Sequence, residues 1–124
     1  MYVDRIPPHD EKAEEAVLGS ILVEGEAILR VAPILRPDDF YRERNRWAFE
    51  ACLAIFQRGE AINQISVSHE LTIQGRLEAA GGASFLSHLV ATVPTSVHAE
   101  HYGRIVGRSA TMRNLIHAAT EIAA

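Results

Sequence analysis

The chain has 124 residues, 48% of them hydrophobic and 23% charged, with a net charge of −4; that balance describes one ordinary globular domain burying roughly two-thirds of its unfolded surface. No apolar run approaches the roughly 20 residues of a membrane span, and the opening "MYVDRIPPHDEK" is too polar for a signal peptide. Lys12 is the one lysine among twelve Lys and Arg residues, so a phosphate-binding surface is disfavoured and arginine-rich protein interfaces are favoured.

The apolar spacing is helical almost throughout. In "PPHDEKAEEAVLGSILVEG" Asp10 offers an N-cap, and Glu11, Glu14 and Glu15 place acids in the first turn, where the helix dipole favours them. Ala13, Ala16, Val17, Ile21 and Leu22 repeat at core spacing until Gly25. A short second helix over Glu26–Ala32 ends near Pro33, and "RPDDFY" reads as a turn carrying two aromatic anchors. In "ERNRWAFEACLAIFQRG" the core positions are Phe49, Cys52, Leu53 and Phe56, with Gly59 as the stop. Cys52, the single cysteine, falls in this apolar stretch and reads as a buried structural thiol suited to a reducing compartment. Ser66 is placed to cap a fourth helix, Val67–Gln74; "RLEAAGG" adds a further turn, and Ser84–Thr92 forms another helix. The fold class is therefore all-α: an orthogonal bundle of about six short helices over residues 1–95, then a long C-terminal helix over 96–124.

That last helix differs in kind. From a Ser96 cap nothing breaks it, so it reaches up to about 28 residues or about 42 Å, against roughly 30 Å for the diameter of the head. Part of it must project or be covered by another chain. Tyr102, Ile105, Ser109, Met112, Ile116, Ala119 and Ala123 form a seam in steps of three and four. Ala99, Gly103, Val106, Gly107 and Ala110 form a second, small-residue strip. A mid-helix glycine costs about 1 kcal/mol relative to alanine, and close approach by a neighbouring helix would offset it. The candidate self-association residues are thus Tyr102, Gly103, Ile105, Val106, Gly107, Met112 and Ile116. Arg104 and Arg108 are the candidate partner contacts.

Other features read more plainly. His98 and His101, three apart, are too few for a zinc site. "AAGGASF" lacks the Gly-Lys-Ser/Thr of a phosphate loop. "VSHELTIQGRLEAAG" has the outline of a helix-turn-helix, the alternative DNA-binding reading, yet Arg76 alone would face the bases. In "YRERNRW", Arg42, Arg44 and Arg46 line a solvent face while Tyr41 and Trp47 anchor the loop. No constellation names a reaction, metal or cofactor.

Five stretches in order resemble the N-terminal domain of DnaB-family replicative DNA helicases: "PPHDEKAEEAVLGSIL", "LRPDDFYRERNRWAFEAC", "GEAINQISVSHEL", "GRLEAAGGASFLSHL" and "VPTSVHAEHYGRIVGRSATMRNLI". They span about residues 6–117. Asn63 and Ala83 depart from the family pattern, at an acid and at a bulkier apolar position respectively. The resemblance implies a ring-shaped hexameric motor of the bacterial cytoplasm, with N-terminal domains paired as three dimers in a collar. It implies a DnaG-type primase as partner, a helicase loader in some species, and DNA contacted mainly elsewhere. ATP and Mg²⁺ belong to a separate RecA-like motor; with no Gly-x-x-x-x-Gly-Lys-Ser/Thr here, this chain is expected to be a non-catalytic piece of a longer protein. The long helix would then be the first half of a helical hairpin.

Overall fold

In the computed structural model, residues 6–123 are described. Seven α-helices follow one another: α1 (Glu11–Val23), α2 (Ile28–Val31), α3 (Glu43–Gln57), α4 (Gln64–Ile73), α5 (Leu77–Ala80), α6 (Gly82–Thr92) and α7 (Ala99–Ala123), with 3₁₀ turns at Gly25–Ala27 and Pro37–Asp39. No strand occurs among the described residues. The all-α class and the six-plus-one helix count agree with the expectation.

Helix α1 is the centre of the bundle, packed against α3, α6 and α7. Asp10 caps it by accepting from the Ala13 N–H at 2.9 Å. Glu11 and Glu14 lie in the first turn as expected, and the acids have tertiary duties as well, because Glu14 is 1% exposed and Glu15 is buried. The Glu14 carboxylate accepts from the backbone N–H of Tyr41 (2.6 Å) and of Arg42 (3.3 Å) and from Asn45 Nδ2 (2.9 Å). Arg42 gives α3 no side-chain cap of its own, so a carboxylate 28 residues upstream supplies what a Ser or Asp normally would. Glu15 meets His88 Nε2 on α6 at 3.0 Å.

Several boundaries shift for identifiable reasons. Asn63, not Ser66, caps α4: Asn63 Oδ1 accepts from the Ser66 N–H and Ser66 Oγ from the Asn63 N–H, both at 2.9 Å, a reciprocal capping box. Helix α6 starts at Gly82 (φ +69) rather than Ser84, after the left-handed Gly81 (φ +117). Helix α7 starts at Ala99; Ser96 accepts the Ala99 N–H through its carbonyl at 3.1 Å, while its hydroxyl donates to Glu24. The second helix is α-helical over four residues only. Gly25 lets the backbone of Ile62 cross closely, since a Cβ there would lie 2.8 Å from the Ile62 carbonyl oxygen.

The core holds Phe40, Phe49, Leu18, Ile21, Ile28, Ile55, Leu71, Leu86 and Leu89, all fully buried, each contributing about 1.5–3 kcal/mol. Phe56, expected on that face, is 39% exposed; α3 turns Asn45, Ala48, Phe49, Ala51, Cys52 and Ile55 inward instead. Cys52 is buried and its thiol is pushed up to about 12 by that burial, so it is an inert structural thiol. Of the two aromatics in the turn, Phe40 is buried against Phe49 (4.9 Å between centroids), and Tyr41 is half-buried, stacked on His9 at 4.2 Å.

Candidate partner-binding surface on the long helix

The N-terminal half of α7 lies on the head. Ala99, Gly103, Val106 and Ala110 are buried, packed against α1, α2 and the Pro37–Asp39 turn. A Cβ at Gly103 would lie 3.1 Å from Ile34 Cδ1, and one at Gly107 would lie 3.7 Å from Leu35 Cδ2. The small-residue strip therefore meets this chain's own Ile34 and Leu35. That corrects the expectation that a neighbouring helix closes on it, and Val106, 1% exposed, is core.

The seam divides. Tyr102 and Ile105 are half-buried against the head and border a groove of about 540 Å³ with Ala13, Ala16, His88 and Val93. Beyond Ala110 the helix leaves the head: Met112, Leu115, Ile116 and Ile122 are 51%, 60%, 50% and 86% exposed. Sequence reading included Met112 and Ile116 but not Leu115 or Ile122, which flank the heptad seam and were legible as apolar residues one position from it.

Arg104 and Arg108 both face solvent, one turn apart on a groove of about 560 Å³ that also includes Ile34, Asp39, Gly103, Gly107 and Met112. Arg104 pairs with Glu100 on its own helix; among the described residues Arg108 has no ion-pair partner. Arg113 was not singled out from the sequence. Its Nη1 donates to the Pro8 carbonyl at 2.9 Å and its Nη2 to the Asp39 carbonyl at 2.7 Å, and the guanidinium lies over the Tyr41 ring, 5.4 Å from the centroid. Backbone carbonyls 105 and 74 residues away leave no local trace in a sequence.

The other candidates resolve structurally. His98 precedes α7 and His101 lies within it, both edge-on or tilted to Tyr102 at 6.3 and 5.8 Å. Among the described residues no three His, Cys, Asp or Glu side chains converge on a metal position, and no helix is long and apolar enough to cross a membrane. The second helix of the supposed helix-turn-helix is α5, four residues long, too short to lie in a groove as a recognition helix. Arg76 is engaged by Glu50 at 2.6 Å and lies over Trp47. The loop arginines are likewise occupied: Arg42 pairs with Glu11 at 3.0 Å, and Arg44 lies 4.7 Å over Phe85.

A helical head carrying a rod with an apolar, outward-facing end places the chain among all-α domains built of short helices packed on one long one. Comparison with known families places it further: the family model described as the DnaB-like helicase N-terminal domain matches residues 6–108, and the chain belongs to that family. It is 41% identical over 123 residues to the replicative DNA helicase DnaB of Geobacillus stearothermophilus, covering 99% of this chain and 27% of that protein. It is 39% identical to the replicative DNA helicase DnaC of Bacillus subtilis, covering 97% of this chain and 26% of that one. The chain thus spans about a quarter of the length of these relatives. Among solved structures, the N-terminal domain of the DnaB helicase from Mycobacterium tuberculosis superposes with a TM-score of 0.93 at 40% identity, covering 95% of this chain and 84% of that one. A DnaB-like replicative helicase described with its interactions with primase gives a TM-score of 0.80 at 26% identity, over 91% of this chain and 27% of that one.

Proposed function

We propose that this chain is the assembly and partner-recognition domain of a bacterial replicative DNA helicase, pairing with copies of itself through the outer face of α7. The carrying observation is the run of exposed apolar residues Met112, Leu115, Ile116 and Ile122 on a helix half that has left the head; such a stripe on a projecting helix marks an interaction surface. Of the candidate self-association residues, Met112 and Ile116 belong to this face. Tyr102, Gly103, Ile105 and Val106 act indirectly, by seating the helix on the head, and Gly107 borders the groove beside it.

In the whole protein this surface contributes to a hexameric collar of three dimers and to the pairing of α7 with a following hairpin helix. DnaG-type primase is the proposed partner, supported by the relative described together with primase; Arg104 and Arg108 are the proposed contacts, because Arg108 is exposed and unpaired among the described residues. A helicase loader is a further partner. ATP, Mg²⁺ and most of the DNA contact belong to a separate motor domain, and the setting is the bacterial cytoplasm. Light scattering is expected to show a dimer or larger for the chain and a monomer for Met112→Glu/Ile116→Glu, with the melting temperature of the head unchanged. A monomeric parent, or an unchanged mass in the variant, would remove the self-association reading. Arg104→Glu/Arg108→Glu should lower primase affinity about tenfold in titration calorimetry, since charge reversal replaces attraction to a partner's carboxylates with like-charge repulsion; undiminished binding would exclude these arginines as contacts.

A further inference from the structure

We infer that Arg113 is a positioning residue, a clasp that fixes the direction in which the outer half of α7 leaves the head. The inference rests on the proposed role of that half in association, and it concerns a residue that need not touch the partner. Ala110 is the last buried residue of α7, Arg113 the last half-buried one, and every residue from Asn114 to Ala123 is exposed. Arg113 therefore sits at the point of departure.

Its contacts join three segments distant in the chain. The guanidinium donates to the carbonyls of Pro8 and Asp39 from two different nitrogens and lies over the Tyr41 ring, 5.4 Å from its centroid, and Tyr41 is itself stacked on His9. Both Pro8 and His9 belong to the strand of chain before α1, whereas Asp39 and Tyr41 flank Phe40, which is fully buried. The head thus offers a rigid platform, and Arg113 ties both the helix and the N-terminal segment to it. A planar fork reaches the two carbonyls from two separate nitrogens in fixed directions, a geometry that an ammonium, with its donors on one atom at the end of a flexible stem, does not reproduce.

The clasp has leverage. From Ala110 to Ala123 the helix runs about 20 Å, so a tilt of some 20° about its root would move the far end by several ångström. That is enough to take an apolar stripe out of register with a partner whose packing tolerates far less. Beyond the root, the described side-chain pairing on this half is the exposed His117–Glu121 contact, and isolated helices of such length are marginal in water. Order in the outer half is therefore inherited from its anchorage.

The test is hydrogen exchange by mass spectrometry on the full chain carrying Met112→Glu/Ile116→Glu, so that association does not mask the amides. In that background Arg113→Ala, Arg113→Lys and Tyr41→Leu are each expected to speed exchange over residues 111–123 about tenfold, with α1 and α3 unchanged. Unaltered exchange in Arg113→Ala overturns the clasp, and parent-like exchange in Arg113→Lys overturns the requirement for a planar fork. Light scattering on the same three changes without the background substitutions should show about tenfold weaker association. Tyr41→Leu is the informative member, because Tyr41 sits on the head. Fast exchange with undiminished association, in a chain that Met112→Glu/Ile116→Glu does dissociate, overturns the link between clasp and assembly. If that double variant leaves association intact, the self-association reading fails while exchange still decides the clasp.

Discussion

A methyl group added at Gly19 would overlap the carbonyl oxygen of Leu89, a backbone atom that cannot turn aside. Helices α1 and α6 touch there backbone to backbone. A Cβ at Gly107 would meet only ordinary contact, 3.7 Å from Leu35 Cδ2. Two mid-helix glycines should therefore respond oppositely to one substitution. Gly19→Ala is expected to destabilise the fold by about 2–3 kcal/mol through overpacking, and Gly107→Ala to stabilise it by about 0.5–1 kcal/mol by removing backbone freedom from the unfolded chain. Urea midpoints of the two variants measure both. At this scale the sequence was legible only in part: Gly103 and Gly107 stood out because they are four apart on a long helix, while Gly19, alone in an apolar run, carried no signal. Whether a glycine is needed depends on what lies opposite it, which is a long-range fact.

Between elements, the sharpest contact is the tie from the end of α3 to α4. Arg58 Nη2 donates to Glu70 Oε1 at 2.7 Å and to Glu60 at 3.2 Å, and Gln74 Nε2 donates to Glu70 at 3.1 Å. The hydrogen bond from Arg58, with its charge and that from Gln74, holds the Glu70 carboxyl below the ordinary value of 4.5 despite the opposing effect of burial. A carboxyl lowered in the folded state contributes stability above its unfolded value and loses it as pH falls through the folded one. Glu70→Gln should therefore lower stability at neutral pH and make the loss on acidification below the ordinary carboxyl value of 4.5 shallower; denaturant titrations at falling pH would show it, and parallel curves for parent and variant would exclude it. The existence of all seven helices was readable from apolar spacing taken together with capping and turn residues. Helix starts were not. Asn63 displaced Ser66 as a cap because both can cap and only the chain's path chooses between them, and Glu14, in the first turn of α1, also serves the α3 start, which had no cap of its own.

For the molecule as a whole, the division between a buried root and a free end of α7 makes a further expectation. Residues from Ile116 onward are exposed, with Ile116, His117 and Thr120 bordering only a groove beside Ile6, Pro7 and Pro8, and a chain ending at Leu115 keeps the Arg113 contacts. It should melt within about 4 °C of the parent, the shift that about 1 kcal/mol produces in a domain of this size, yet lose self-association. Differential scanning calorimetry beside light scattering separates the two; a fall in melting temperature beyond 10 °C would mean the outer half stabilises the head. The sequence by itself determined the helical class, the helix order and the presence of a rod too long for its head, because apolar periodicity, turn residues and the rise per residue are local quantities. Only the tertiary structure decided that the glycine strip faces inward onto Ile34 and Leu35, that Tyr102 and Ile105 part company with Met112 and Ile116, and that Arg113 holds the rod at its root. Each of these depends on which distant segment arrives at a helix face, and spacing along one helix is silent about what will be brought against it.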